Sequence, residues 1–587
     1  MIQLVKQLNR RQVGMFLFSL VFIVAQVWLD LKMPEYMSAI TALVQTPDSA
    51  ISDILLNGGY MLLCAVGSMA AAMITGYFAA KIAAGLSKTL REKVFKKVMR
   101  MGSEEMEKFS TSSLITRTTN DITQVQMIVS MGLQAIIKAP ILLVWAVLKI
   151  AGKQWQWSLA TAGAVLIIMA VLAIAVVLAL PKFKVIQELT DNLNRVTREN
   201  LTGIRVVRAY NAEQHQENKF EQANEALTHT NLFANRVMGL LNPTMTFVTS
   251  GISPAIYWIG AYLINAAGMM DRLTLFSDMV AFSSYAMQVI MAFTMLTMMF
   301  IMLPRVMVSV YRINEVVNSE ISITDGSYAG APHLRGEVEF RNVSFRYPGA
   351  GDDVLHNISF TAHSGETVAL IGSTGSGKST LINLIPRFYD ATQGEVLVDG
   401  VNVKEYEQRS LRNRLGYVSQ RATLFSGSVQ SNVTYGDNGV QNGIDGQMMT
   451  EAVDIAQASG FVLKMKGEYD APIAQGGMNV SGGQKQRLSI ARAIYRRPEI
   501  FIFDDSFSAL DYKTDRDLRA QLATKLKSAT KIIVAQRIGT IRNADKIIVL
   551  EDGRIAGMGK HDELMKNCAV YQDIARSQLS EEELANA

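Results

Sequence analysis

Cysteine is nearly absent from this 587-residue chain: only Cys64, in an apolar run, and Cys568, near the end. Two thiols exclude a disulfide framework and give no metal cluster. Charge is also scarce. Charged residues make up 19%, and 57 Lys and Arg against 52 Asp and Glu leave a net +5. That excess is too small and too dispersed to follow a nucleic-acid backbone, so no nucleic-acid partner is expected. A cleavable signal peptide is not expected either, because the amphipathic start at 1–6 leads into an apolar run without a small-residue cleavage site.

Apolar residues are abundant, at 49%, and concentrate in the first half, so the two halves live in different solvents. The length suggests more than one domain. A spanning helix needs about 20 mostly apolar residues. Six runs qualify, near 13–29, 60–80, 131–148, 158–180, 245–264 and 275–303, with Trp155 and Trp157 placed as interfacial anchors before the fourth. Arg10 and Arg11 precede the first run, and Lys81, Lys88, Arg91, Lys93, Lys96, Lys97 and Arg100 follow the second. Between these two runs Lys32 stands against Glu35, Asp48 and Asp53. The positive-inside rule therefore puts the N-terminus, and everything after the sixth run, in the cytoplasm.

The second–third and fourth–fifth gaps are amphipathic and on the order of 50 residues each. Run out and back as helices, they project roughly 35 Å into the cytoplasm, with turns expected at 109–113 and 208–213. Lys138, beside Pro140 in the third run, is either a functional intramembrane charge or a lysine that snorkels to the inner interface; the second is expected. In the sixth run Met287, Met291, Met295, Met298 and Met302 are spaced 4, 4, 3 and 4 apart and share about an 80° arc. Thioethers suit surfaces that accept many apolar shapes. The stripe either lines a cavity for hydrophobic cargo or serves helix packing and lipid contact.

A linker composition at 319–335 (Asp325-Gly326-Ser327, Gly330, Pro332) separates a membrane domain, 1–318, from a cytoplasmic domain, 336–587. The second domain carries Gly372-Ser373-Thr374-Gly375-Ser376-Gly377-Lys378-Ser379-Thr380 between the strand-like 367–371 and the helix-like 381–385. This is a P-loop in its required context. Backbone amides and a helix N-terminus hold phosphates, Lys378 reaches the β- and γ-phosphates, and Ser379 holds Mg²⁺. A second anion-facing element, Ser481-Gly482-Gly483-Gln484, opens a helix about 100 residues on. One fold cannot easily aim both at one nucleotide, so a dimer sharing its sites is the economical explanation. Further on, Ile500-Phe501-Ile502-Phe503-Asp504-Asp505 reads as a buried strand delivering two carboxylates.

Val480-Ser481-Gly482-Gly483-Gln484 resembles the signature motif of ABC transporters, with Val for the usual Leu. The order of six spans, linker and ATPase resembles ABC exporter half-transporters over nearly the whole chain. The resemblance implies an all-α six-helix membrane domain with long cytoplasmic helical extensions, fused to an α/β P-loop ATPase domain of the ABC type. It implies ATP and Mg as cofactors. It also implies that Tyr347 stacks on adenine, that Gln420 contacts Mg²⁺ and water, and that Asp504 is the Walker B aspartate. Asp511 would lie in the loop crossing the dimer interface. The two cytoplasmic turns would be coupling helices, the second pressing on the partner's ATPase domain.

Three positions depart from that pattern. Asp505 stands where the catalytic Glu is usual, Gln536 where the switch histidine is usual, and Gln475 where an acidic residue is usual. Asp is one methylene shorter than Glu, so its oxygens sit ~1.5 Å back; a base must come within about 3 Å of its proton and contributes roughly 10²–10⁴-fold. Gln cannot become cationic. The site looks complete for binding and poor for hydrolysis. This resembles one subunit of a heterodimeric bacterial multidrug exporter, in which Ser481, Gly482, Gly483 and Gln484 serve the site of a non-identical partner that has Glu and His in place and an altered signature. Export of apolar or amphipathic compounds across the cell membrane is expected. The alternatives are a homodimeric lipid or peptide exporter with a slow site, of which the peptide-processing kind is disfavoured because no extra domain precedes the first run, and a regulatory or channel-like protein gated by ATP.

Overall fold

Helices far longer than a bilayer is thick dominate the first half. The computed structural model describes residues 9–46, 49–330, 336–436 and 443–578. Residues up to Met99 together with Ser112–Ser319 form one compact unit; Arg100–Thr111 and the described residues from Glu320 on form another.

The first unit is built from α1 (Arg10–Gln45), α2 (Ile51–Val98), α4 (Thr111–Thr118), α5 (Asn120–Ala151), α6 (Trp155–Thr202), α7 (Ile204–Ala209), α8 (Glu213–Gly239), α9 (Leu241–Ala266) and α10 (Met269–Val317); α3 (Ser103–Phe109) belongs to the other unit. Among the described residues six helical stretches are long and apolar enough to cross a membrane, in agreement with the six apolar runs. At ~1.5 Å per residue, the 48 residues of α2 and of α6 run ~72 Å against a hydrocarbon core of ~30 Å. Both must extend well beyond the bilayer. Small buried residues on α2, namely Ser68, Ala71, Thr75, Ala79 and Ala83, let it pack closely on α1, as expected where no hydrophobic force drives helices together. Inside the bundle Trp157 and Phe282 pack at 5.4 Å between ring centroids, beside Val27, Leu31, Leu142 and Ile256.

One expectation changes here. Lys138 does not snorkel: its Nζ lies 3.0 Å from the Asp30 carboxylate, with both side chains largely buried, and Ser68 Oγ donates to the same carboxylate. An acidic partner on α1 neutralises it in place. Removing one member of a buried pair strands the other charge, which costs about 3–5 kcal/mol. Lys138→Met should therefore lower the melting temperature of the detergent-solubilised protein sharply, and adding Asp30→Leu should recover most of the loss. A single variant that melts like the wild type would mean the pair is not formed. The turns fall within the expected stretches. The first short helix, α3, ends at Ser110, whose φ of +53° breaks it inside 109–113. The second is α7, ending before Asn211 at φ +49°; none of its residues is buried.

The methionine stripe faces away from the core of its own chain. Met291 and Met298 are 51% and 70% exposed, Met287 and Met302 36%, and Met295 is half-buried, whereas Phe282, Tyr285, Ala286, Val289 and Ile290 on the other side of α10 are buried.

The second unit holds two larger sheets. Four strands, β1 (Val338–Phe345), β2 (Leu355–Ala362), β4 (Gln393–Val398) and β5 (Val401–Asn402), pair antiparallel in the order β2-β1-β4-β5. Six others, β3 (Thr367–Gly372), β6 (Leu415–Val418), β7 (Ile500–Asp504), β8 (Thr530–Val534), β9 (Lys546–Glu551) and β10 (Arg554–Gly559), run β10-β9-β3-β8-β7-β6, parallel except for the edge strand β10. Strands β7 and β8 are buried along their whole length, which explains why 500–503 reads as an unbroken apolar run; β8 buries Thr530 and Lys531 as well. Residues 100–111, part of the membrane half by sequence, pack within this unit. Glu105 accepts from Gly102 N (2.7 Å) and Ser322 N (2.8 Å), and Glu107 accepts from Tyr389 Oη (3.0 Å). Burial, and secondarily Glu107, pushes the Tyr389 hydroxyl up to about 12.

Candidate ATP site

Parallel strands deliver the chemistry to one edge of the sheet. Strand β3 ends at Gly372, where a Cβ would lie 2.0 Å from Leu550 O. The loop that follows turns through Gly375 and Gly377, at φ +87° and +92°, into α11 (Lys378–Asn383). Side chains at these two positions would be strained, which is why glycine stands there. Strand β8 separates β3 from β7 and pairs with both, with Val534 level with Leu370 and with Asp504. Gln536, just beyond β8, thus falls beside Asp505, just beyond β7. Open parallel sheets bind ligands at these carboxyl ends.

The result is a cavity of about 280 Å³ lined by Val354, Thr374, Gly375, Gly377, Lys378, Ser379, Thr380, Gln420, Asp504, Asp505, Val534 and Gln536. Ten of these residues, in four separate stretches of sequence, were expected at the site; Val354 and Val534 were not. As apolar wall residues they carry no chemical signature in sequence. Lys378 is buried, and its Nζ donates only to Gly372 O (2.9 Å), Ser373 O (2.6 Å) and Ser376 Oγ (3.2 Å). A cation among neutral acceptors at a helix N-terminus is suited to phosphate. Burial depresses its pKa, and the nearby Asp505 and Asp504 oppose that effect. Ser379 Oγ donates to Asp504 Oδ1 (2.9 Å), and Gln420 lies alongside. A hydroxyl, a carboxylate and an amide oxygen are the hard donors Mg²⁺ takes when it is shared with a nucleotide. Mg²⁺ held there would neutralise charge on the phosphate oxygens. Burial raises the Asp504 carboxyl above its ordinary range, and the Ser379 hydrogen bond draws it back.

Asp505 is held differently. Its backbone sits at φ +45°, with its N–H on Val534 O (3.0 Å). Its Oδ2 accepts from Gln536 Nε2 (2.9 Å) and Gln420 Nε2 (3.3 Å). Burial raises this carboxyl too, while Gln420 and Ser508 hold it down. Two amides therefore donate to the same oxygen of this carboxylate.

Tyr347 lies at the same edge. Its hydroxyl is 2.9 Å from Thr380 Oγ1, and its ring packs edge-on against Tyr389 at 5.3 Å. Gly372, Ser373 and Ser376 shape the loop without lining the cavity. The signature does not join this site: Ser481, Gly482, Gly483 and Gln484 open α12 (Gly482–Tyr495) elsewhere, and none of them lines the cavity. Ser481 is exposed and caps α12, accepting from Gln484 N (3.3 Å), while Gln484 Oε1 accepts from Ser481 N (2.9 Å). Asp511 caps α13 (Tyr512–Lys525) through Thr514 N (3.0 Å). Gln475 is exposed in a short 3₁₀ turn before the signature.

Six apolar helical spans fused to one P-loop ATPase unit define a membrane protein that couples nucleotide chemistry to work in a bilayer. The comparisons with known proteins agree. Residues 16–293 match the ABC transporter transmembrane region and residues 355–508 the ABC transporter ATPase family. An uncharacterised ABC transporter ATP-binding protein of Mycobacterium tuberculosis is 39% identical, over 89% of this chain and 87% of that protein. An ATP-dependent lipid A-core flippase of Pseudomonas aeruginosa is 31% identical, over 89% and 85%. The structure of a bacterial Atm1-family ABC exporter with ATP bound superposes with a TM-score of 0.78 at 23% identity, covering 97% of this chain and all of that one. The chain belongs to the ABC transporter family, with its membrane domain fused to a single ATPase domain. It is a multi-pass bacterial membrane protein whose ATPase domain hydrolyses ATP in support of transport.

Proposed function

We propose that this chain is one half of a heterodimeric exporter, and that its own ATP site grips nucleotide but turns it over slowly. The carrying observation is the state of Asp505: a carboxylate one methylene short of a glutamate, with Oδ2 taken up by the Gln536 and Gln420 amides. Gln536 is neutral, so it supports the charge that develops on the γ-phosphoryl group less well than a cationic histidine. The binding groups are intact, with Lys378, Ser379, Gln420 and Asp504 all at the cavity. The economical completion is a non-identical partner with Glu and His in place. It hydrolyses ATP at a site closed by this chain's Ser481, Gly482, Gly483 and Gln484, and carries an altered signature itself. Closure of the two ATPase domains on ATP turns the cavity outward; hydrolysis at the partner's site resets it. The local site holds ATP longer and tunes the cycle.

Apolar or amphipathic compounds are the proposed cargo. The exposed thioethers of Met287, Met291, Met298 and Met302 support this, since α10 turns them away from its own core. A second reading, a homodimeric lipid exporter with a slow site, draws support from the lipid A-core flippases among the relatives. One variant separates the two. In the assembled transporter Asp505→Asn should change steady-state ATPase activity less than twofold if the partner's site does the work. A loss beyond about 10²-fold, the lower bound for removing a working base, would favour the second reading.

A further inference from the structure

The strand ladder that presents Gln536 stops short of it. Val534 is the last residue of β8, and Ala535 N makes one more sheet contact, to Leu370 O (3.1 Å). Beyond that, the ladder offers no partner to the Gln536 carbonyl, on an exposed residue, or to the N–H of Ile538, a buried residue whose backbone group is expected to be paired. The short helix that begins at Ile538 has Arg537 at its N-cap, which makes no side-chain capping bond.

Both groups are met by a single side chain from far along the sequence. Gln578 Nε2 donates to Gln536 O (2.7 Å), and Gln578 Oε1 accepts from Ile538 N (2.9 Å). The amide imitates the donor–acceptor pair of a neighbouring strand. It brackets Gln536, whose own side chain reaches Asp505 (2.9 Å). Gln578 closes the last turn of α15 (Ala569–Gln578), which follows α14 (His561–Asn567). Tyr571 and Ala575 are fully buried, Tyr571 Oη lies 2.7 Å from His561 Nδ1, and Ile574 packs against the same core. The helix is thus packed on β3, β9 and β10 as well as on the short helix Ile538–Ile541, and Gln578 adds a polar bridge from it to the segment that carries Gln536.

We propose that Gln578 is a positioning residue for the ATP site: it holds the 536–538 backbone so that the Gln536 amide stays on Asp505, and so sets how long nucleotide is retained. This rests on the reading of Gln536 as the switch residue of a nucleotide-retaining site. It makes the C-terminal helix a control point for that site, a role that nothing in the helix's own composition suggests.

The test uses the full chain in lipid nanodiscs, with a fluorescent trinitrophenyl-ATP as probe. Gln578→Ala should raise hydrogen exchange at the Ile538 amide and speed probe release, each by about two- to tenfold, the range that one or two net hydrogen bonds supply. In a Gln536→Ala background the same change should still raise exchange at Ile538 and leave release as Gln536→Ala alone sets it. A purely structural role would loosen α15 and lower the melting temperature without this dependence on Gln536. Unchanged exchange at Ile538 would show that the bridge is not formed. Faster exchange with unchanged release, or an equal effect on release in both backgrounds, would overturn the positioning role. Failure of the slow-site reading shows up separately, as a large loss of steady-state turnover in Asp505→Asn.

Discussion

Replacing Ser481 by Arg is expected to lower ATP turnover of the assembled transporter by about 10²-fold or more, the scale on which loss of a preorganised donor at a reacting phosphoryl or acyl group is felt. Stability loss cannot produce this. Ser481 is exposed and its structural duty is a helix cap, accepting from Gln484 N at 3.3 Å; losing a cap costs about 0.5–2 kcal/mol. The large effect comes from position. The hydroxyl, the amides of Gly482 and Gly483 and the N-terminus of α12 present an anion site on the surface, away from this chain's own P-loop cavity. An arginine there fills that site. Nucleotide affinity at Lys378 should be unaltered, so equilibrium binding of ATP by the isolated chain is the internal control. Full turnover in the variant would mean that the signature is not used by a partner's site.

The second large effect is a gain. Purified without any other subunit, the chain can build sites only from its own P-loop and its own intact signature. Wild-type turnover in that preparation should be slow, and Asp505→Glu with Gln536→His should raise it by about 10²-fold, toward the lower part of the range a positioned base contributes. The longer side chain regains ~1.5 Å of reach, and the imidazole removes the amide that donates to Asp505 Oδ2 at 2.9 Å. Asp505→Glu alone should recover less, because Gln536 remains. Rapid phosphate release by the wild-type chain alone would remove the argument for a dissimilar partner.

Much of this was readable before the structure because it is coded locally. Spanning helices announce themselves by the length of apolar runs, and the P-loop by glycines whose φ values, such as +87° at Gly375, other residues resist. The pairing of Asp504, Asp505 and Gln536 with the P-loop followed from family resemblance, and adjacent parallel strands account for it. What stayed hidden was non-local. Lys138 looked like a stray charge because its partner, Asp30, is on a different helix with no spacing rule to connect them. The break at Ser110 fell inside the expected turn although Ser110, not a glycine or proline, takes the left-handed backbone there. Gln578 gave no signal at all: a glutamine at a helix end is ordinary until its two bonds are traced. The methionine periodicity was visible, but the side of α10 it occupies depended on which face the bundle covered.

That same row of thioethers leaves the membrane unit open to oxidation along one side of α10. Peroxide converts methionine to a sulfoxide, adding a chiral polar oxygen to a flexible apolar arm. Because Met291 and Met298 stand more than half exposed on α10, oxidative stress would roughen this greasy strip into a polar one, whereas the cavity around Lys378 is lined by no thioether and would keep its chemistry.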